Sequence, residues 1–272
     1  MMDIREKERA LESILRSFSG VLVAFSGGVD SSYLAFKANE VLGSRALAVL
    51  GMSPSVPSHQ RKMADRVAEV CGFSPLVVDT AEVSRPDYSA NPPNRCYFCK
   101  DELFSTLAAI ARDRGGLQIV DGLNADDVGD YRPGTQAGRE HGVRSPLLES
   151  ALTKEEIRVL SREAGLPTAD EPASACLASR FPYGVRITPD KLRLVDAGEE
   201  ALRGLGFGVF RVRHHEETVR LEFGPDDFAR ALNRNMASRL VSVFKGLGYR
   251  YVTLDLEGYR TGSLNEVLTT IR

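Results

Sequence analysis

The sequence predicts an α/β protein, a doubly wound parallel sheet with a smaller α+β unit behind it. Three observations carry that reading. Val21–Phe25 is an apolar run that ends in the glycine turn Ser26-Gly27-Gly28-Val29-Asp30-Ser31-Ser32 and feeds a helix. Apolar strands and helices then alternate as far as residue 78, the rhythm of βαβ units. Beyond residue 180 the strands alternate apolar and polar residues, as half-exposed strands do. The domain boundary is therefore placed there, giving residues 1–180 and 181–272.

Each element follows from its local pattern. Residues 3–18 space Ile4, Leu11, Ile14, Leu15 and Phe18 as a helix that packs on the sheet. Val21–Phe25, apolar throughout, reads as a central parallel strand. A helix runs from Ser31 to near Gly43, then Arg45–Gly51 forms a strand, Ser58–Cys71 a helix and Pro75–Val78 a strand. Residues 84–95 break the rhythm, and Pro92-Pro93 excludes a helix there. Cys96-Tyr97-Phe98-Cys99 comes directly before a helix over Lys100–Arg114, and Leu117–Asp121 is a further strand. Thr153 and Glu156 form a capping box for a helix ending by Ala164. In the second unit the pattern predicts a helix over Asp190–Gly204 and strands over Gly208–Arg213 and Thr218–Phe223 joined by His214-His215-Glu216-Glu217. A helix over Asp226–Leu247 and a strand over Tyr251–Leu256 complete it.

Composition narrows the function. With 272 residues, 43% of them hydrophobic and 26% charged, the chain can bury a core without staples. A formal net charge of -2 argues against a dedicated nucleic-acid binder. No apolar run reaches the ~18 residues of a membrane span, and the charged amphipathic N-terminus is unlike a signal peptide. A cytoplasmic location and no membrane partner are expected. Four cysteines do not make a disulfide framework in a chain of this size. Cys71, at a helix end, reads as a small buried hydrophobe.

Chemistry concentrates at strand ends. Gly27 and Gly28 let the backbone approach an anion, the N–H groups of Val29 and its neighbours point at it, and Ser26, Ser31 and Ser32 add hydroxyls. Asp30 beside a phosphate is useful chiefly if Mg²⁺ bridges the two. The GxxxxGK[ST] spacing is absent, so this is not a Walker A loop. Asp121–Gly134 follows another strand end and carries four acidic groups and Arg132; its carboxylates suit Mg²⁺ or a cationic substrate, and Arg132 suits phosphate. Cys176 lies among small residues ahead of Arg180, which could bind an anion or lower a thiol pKa. Arg211 and Arg213, two apart on a strand, share a face and suit anionic groups. His214 and His215 point to opposite sides and read as a turn.

The glycine turn resembles the PP-loop of ATP pyrophosphatases. With Asp130–Gly134 (DYRPG), Cys96–Cys99 (CYFC) and Ser179–Gly184 (SRFPYG), nearly the whole chain resembles the LarE-type sulfur transferases. The resemblance implies a PP-loop domain with a C-terminal α+β substrate-binding and oligomerisation domain. The loop after the second strand, Met52–Pro57, would pass near the adenine. It implies binding of ATP by Ser26–Ser32, with Mg²⁺ near Asp30, and adenylation of a carboxylate of pyridinium-3,5-biscarboxylic acid mononucleotide. Sulfur insertion on the way to the nickel-pincer nucleotide follows. Cys176 matches the sulfur-delivering position, and Glu199, Arg211 and Arg213 match substrate-site positions, with Glu199 as a base or an orienter of arginine. Cys96, Cys99 and Cys176 could hold a [4Fe–4S] cluster with one open iron. Sacrifice of the Cys176 sulfur and a structural, zinc or redox role for the pair stay open. Family members form closed rings, so a homo-oligomer is expected. The rival readings are a tRNA thiolase, an amidating PP-loop enzyme and a non-catalytic nucleotide-binding redox sensor.

Overall fold

The computed structural model describes residues 2–128, 133–172 and 174–266. Its backbone divides into two compact units, residues 1–88 with 93–174, and residues 89–92 with 175–272.

The first unit begins with α1 (Ile4–Arg16), closed by a capping box in which Glu6 N–H donates to Asp3 and Asp3 N–H donates to Glu6, each at 2.8 Å. β1 (Val21–Phe25) and α2 (Val29–Leu42) follow, then β2 (Ala46–Met52), α3 (Ser58–Cys71) and β3 (Leu76–Asp79). Next come α4 (Pro86–Ser89), α5 (Arg95–Asp113), β4 (Gln118–Val120), α6 (Pro133–Glu140), α7 (Pro146–Glu149) and α8 (Lys154–Glu163). The sheet has the order β3-β2-β1-β4 and is parallel throughout. β1 is buried along its whole length, because its two faces serve two cores. Val21, Val23 and Phe25 pack with α1, α2, α3 and α8, whereas Leu22 and Ala24 pack with Phe104, Leu107 and Ala111 of α5. A central strand covered by helices on both faces is what an all-apolar run requires.

The strand order reverses between β1 and β4, so the carboxyl ends of these two strands flank a topological switch point, where open α/β sheets bind ligands. The turn after β1 lies there.

The second unit carries α9 (Pro189–Gly204), β5 (Phe210–His215), β6 (Thr218–Phe223), α10 (Pro225–Leu232), α11 (Arg234–Gly246) and β7 (Tyr251–Leu254). Its sheet runs β5-β6-β7, antiparallel in the first pair and parallel in the second. A Cβ at Gly198 would stand 2.7 Å from Phe244, so only glycine lets α9 approach the Phe244 ring of α11 this closely.

Four local expectations are corrected. The Cys-Tyr-Phe-Cys stretch lies inside α5 rather than ahead of it, since the breaking effect of Pro92-Pro93 ends at Asn94, whose carbonyl accepts Tyr97 N–H at 2.9 Å. The helix expected over 226–247 is two helices. Asn233 is extended, and its side chain accepts Asn235 N–H at 3.0 Å to start the second. His214 and His215 belong to β5, and the turn is made by Glu216 and Glu217, with Glu216 at φ +53°. α4, α6 and α7 occupy stretches in which no helix was expected; α4 and α7 are single turns and all three open on proline, whose fixed φ suits a first helical position. Cys71 is half-buried and packs against the first core, and burial pushes its thiol pKa up. Among the described residues no helix is long and apolar enough to cross a membrane.

Candidate active site

The turn at the end of β1 is shaped by its two glycines. Gly27 has φ +75°, and a Cβ there would stand 2.8 Å from Ala64 Cβ and 2.9 Å from both Ala64 N and Gln60 O of α3. Gly28 is the N-cap of α2 without a side-chain cap, so no N-cap side chain takes up the first N–H groups of the helix. Ser31 Oγ donates to Gly28 O at 3.1 Å, stands 2.9 Å from Ser26 Oγ and accepts Ser26 N–H at 3.2 Å, which closes the turn on itself. Gln60 braces it from α3 by donating to Ser26 O at 2.8 Å. The Ser32 hydroxyl is buried without a hydrogen-bond partner. Gly27→Ala is expected to lower stability by about 1–3 kcal/mol, from strain at positive φ and the clash with α3. A urea titration reads that loss.

The loop after β4 lies directly against this turn, since a Cβ at Gly122 would come within 2.9 Å of Ser31 N. Its carboxylates are largely engaged locally. Asp121 accepts Ser145 Oγ at 2.7 Å, Asp127 accepts Asn124 N–H at 3.0 Å, and Asp126 accepts the backbone N–H of Lys154 at 2.8 Å. They brace the loop, the first helical position of α8 included. Asp130 and Arg132 lie outside the described residues.

Asp30 is different. Its Oδ2 takes Lys154 Nζ at 2.5 Å, while Oδ1 is buried with no hydrogen-bond partner. A half-engaged, partly buried carboxylate beside uncapped backbone N–H groups suits a hard cation that also ligates phosphate. Lys154 was not anticipated from sequence as a site residue; its place beside the Thr153 cap was the available signal.

Cys96 and Cys99 sit three apart in the first turns of α5, on one face, with Cys96 exposed and Cys99 half-buried. The start of α6 lies against this part of α5: a Cβ at Gly134 would be 2.9 Å from Lys100 Cγ and 3.4 Å from Cys96 O.

In the second unit, Cys176 is the N-cap of a 3₁₀ turn over Leu177–Arg180, and its side chain is partly exposed. Its carbonyl accepts Ser179 N–H at 3.0 Å, Ser179 Oγ at 2.8 Å and Arg180 Nη1 at 2.9 Å. Arg180 also donates to Ala175 O at 2.6 Å and grips Glu199 through both carboxylate oxygens, at 2.7 and 2.9 Å. Both partners are buried. Arg180 is therefore a brace around the Cys176 backbone rather than a group presented to an anion, because four of its five N–H donors already point at protein acceptors. Glu199 is its orienter: burial pushes its carboxyl pKa up, but Arg180, with Arg211 and Arg203, brings it net below the ordinary value. A carboxylate held ionised in this way is a poor general base.

Arg213 repeats the arrangement. It grips Glu222 at 2.8 and 3.0 Å and donates to Ser179 O at 2.9 Å and Ser263 Oγ at 2.8 Å. Arg211, on the same face of β5, donates to Tyr259 OH at 2.9 Å with its guanidinium over that ring. Burial pushes its pKa down, and neighbouring Arg180 adds to the shift. Of the three arginines, Arg211 makes the fewest protein contacts and is the one best placed to take an anion. Glu222, on alternating strand β6, and Tyr259 were not anticipated from sequence. His214 lies 2.9 Å from Tyr249 OH by Nδ1 and packs on Phe181, and burial pushes the pKa of both His214 and His215 down. Among the described residues no group of three or more His, Cys, Asp or Glu side chains is gathered as a metal-ligand set.

No protein-family model matches the chain. Individual relatives do. Over 266 residues it is 46% identical to an uncharacterised protein of Synechocystis sp., covering 96% of this chain and 99% of that one. It is 36% identical over 270 residues to the pyridinium-3,5-bisthiocarboxylic acid mononucleotide synthase of Lactiplantibacillus plantarum, covering 99% of this chain and 97% of that protein. A more distant similarity, 27% identity over 179 residues, links 58% of the chain to 34% of the glutamine-hydrolysing GMP synthase of Aeropyrum pernix.

Proposed function

Because the chain belongs to the family of the pyridinium-3,5-bisthiocarboxylic acid mononucleotide synthases, the LarE-type sulfur transferases, we propose that it uses ATP to exchange a carboxylate oxygen of pyridinium-3,5-biscarboxylic acid mononucleotide for sulfur. The product serves the making of the nickel-pincer nucleotide. The carboxylate attacks the α phosphorus of ATP, and pyrophosphate leaves. A sulfur nucleophile then attacks the acyl carbon, and AMP leaves with the former carboxylate oxygen.

One observation carries the first half. A glycine turn at the β1/β4 switch point presents uncapped helical N–H groups beside Asp30, one oxygen of which is buried without a partner. The N–H groups of α2 bind and orient the phosphates as charge builds on them. Mg²⁺, held by Asp30, would neutralise phosphate charge. For the second half, Cys176 is the candidate for sulfur delivery, with its main chain held by Arg180 and Ser179. Arg211 takes an anionic group of the substrate.

Two sulfur sources are compatible with these residues. A [4Fe–4S] cluster, when bound, would offer an open iron for hydrosulfide, with Cys96 and Cys99 as two ligands and Cys176 as the third. What supports it is the i, i+3 thiol pair on one helical face. In the other, the Cys176 thiolate displaces AMP to form a thioester, and loss of the Cα proton with cleavage of the Cβ–S bond releases the thiocarboxylate and leaves dehydroalanine.

Anaerobically purified protein supplied with ATP, the dicarboxylate nucleotide and sulfide tests the reading. Cys176→Ala is expected to release pyrophosphate and retain the acyl adenylate but to form no thiocarboxylate, read by mass spectrometry. Thiolation by that variant would remove Cys176 from the reaction. About four irons per chain and repeated turnover support the cluster; one turnover with loss of H₂S from Cys176 supports sacrifice. Activity on tRNA and none on the nucleotide would overturn the substrate.

A further inference from the structure

Lys154 has no place in the chemistry described so far, yet it pairs with Asp30, the charged residue of the glycine turn. We propose that Lys154 is a resident counter-ion. It holds Asp30 closed to free divalent cations while no nucleotide is present, and yields the carboxylate when a triphosphate draws its ammonium away. The inference rests on the reading that Ser26–Ser32 binds ATP.

Three features support it. First, the turn is acidic in itself. Between Ser26 and Ser32 the only charged residue is Asp30, and no lysine or arginine accompanies it. A carboxylate alone at that position would repel an incoming triphosphate and attract any divalent ion. Lys154, at 2.5 Å, cancels the charge. Second, the backbone of Lys154 is pinned while its side chain is not. Its N–H donates to Asp126 at 2.8 Å, and Thr153 caps the helix that it begins. The side chain is one-third exposed and Asp30 one-fifth, so the ammonium can exchange partners without moving α8. Third, Asp30 Oδ1 is buried with no partner, which leaves the carboxylate only half neutralised by hydrogen bonds. That is the state from which a second cation gains most.

The exchange balances in charge. Before binding, one carboxylate and one ammonium face each other. On arrival of the metal–triphosphate complex, Asp30 passes to the dication, and Lys154 turns its three N–H donors to phosphate oxygens. The metal is thereby admitted together with the nucleotide rather than ahead of it. Lys154 thus acts as the counter-ion of Asp30 before binding and as a phosphate donor after it.

The test reads metal binding without nucleotide, which needs no turnover. Mn²⁺ is titrated into nucleotide-free protein, and the unbound ion is followed by EPR. Wild-type protein and Lys154→Arg, which keeps the charge, should bind Mn²⁺ weakly. Lys154→Gln should bind it about tenfold more tightly, the worth of a partly buried ion pair at close range. The gain should vanish in the double variant Asp30→Asn/Lys154→Gln, which locates the ion on Asp30. In the presence of ATP and substrate, Lys154→Gln should lower kcat/KM for pyrophosphate release about 100-fold, with Lys154→Arg in between. Equal Mn²⁺ affinity in wild type and Lys154→Gln would overturn the proposal, as would a gain that survives in the double variant. Absence of ATP cleavage by the wild-type protein would instead overturn the ATP reading itself, while the Mn²⁺ titration still reports on the ion pair.

Discussion

Asp30→Asn is expected to lower pyrophosphate release from ATP by about 10²–10³-fold, the usual cost of removing one preorganised electrostatic group from a charged transition state. The change is isosteric, but it deletes the charge that a metal on the phosphates requires. Its effect on folding should be small, within about 1 kcal/mol, because the partner Lys154 is one-third exposed and can turn to water. A malachite-green pyrophosphate assay and a urea titration on the same preparation separate the two effects. A variant with normal release and lowered stability would make Asp30 a structural residue and would sink the site assignment.

The reverse pattern is expected for Glu199→Gln. Here the partner is Arg180, and both side chains are almost wholly buried. Removing one member of such a pair leaves an uncompensated charge inside the protein and typically costs about 3–5 kcal/mol. The second unit should unfold at markedly lower urea. Thiolation should fall with it, because Arg180 holds the main chain around Cys176. Pyrophosphate release should persist wherever the first unit stays folded. The pH dependence gives an independent check. The folded pKa of Glu199 lies below its ordinary value of 4.5, the competition of burial against Arg180 being won by the arginine. A depressed carboxylate contributes stability that is present in full above about pH 4.5 and is lost as pH falls through the folded pKa. The stability gap between wild type and Glu199→Gln should therefore be widest near neutrality and narrow below pH 4.5. A gap that stayed constant down to the folded pKa would mean that Glu199 is not ionised in the native protein.

Local and distant features were legible to different degrees, for a physical reason. Val21–Phe25 announces a strand buried on both faces because every residue is apolar, and capping pairs such as Thr153 and Glu156 mark a helix end within four residues. These are local signals. The glycine turn is local as well, and its anion-binding geometry follows from seven consecutive residues. Asp30 and Lys154, by contrast, meet across 124 positions, and nothing in either neighbourhood names the other. Arg180 was expected to present its charge to a ligand or thiol. Glu199, nineteen positions on, takes that charge up, and only the packing of α9 against the 3₁₀ turn brings the two together. The same holds for Arg213 and Glu222, which stand on antiparallel neighbours. Asn233 was hidden for the opposite reason: its effect is local, but the apolar spacing on both sides of it mimics one continuous helix.

The bonds around residue 176 carry one more implication. Arg180 and Ser179 hold this residue by its main-chain carbonyl, and none of those bonds involves the sulfur. If the sulfur of Cys176 is what leaves, the scaffold that surrounded it stays bonded as before. A used molecule would then keep the main-chain bonds that hold residue 176 in a fresh one, and the loss of sulfur would register first in its mass.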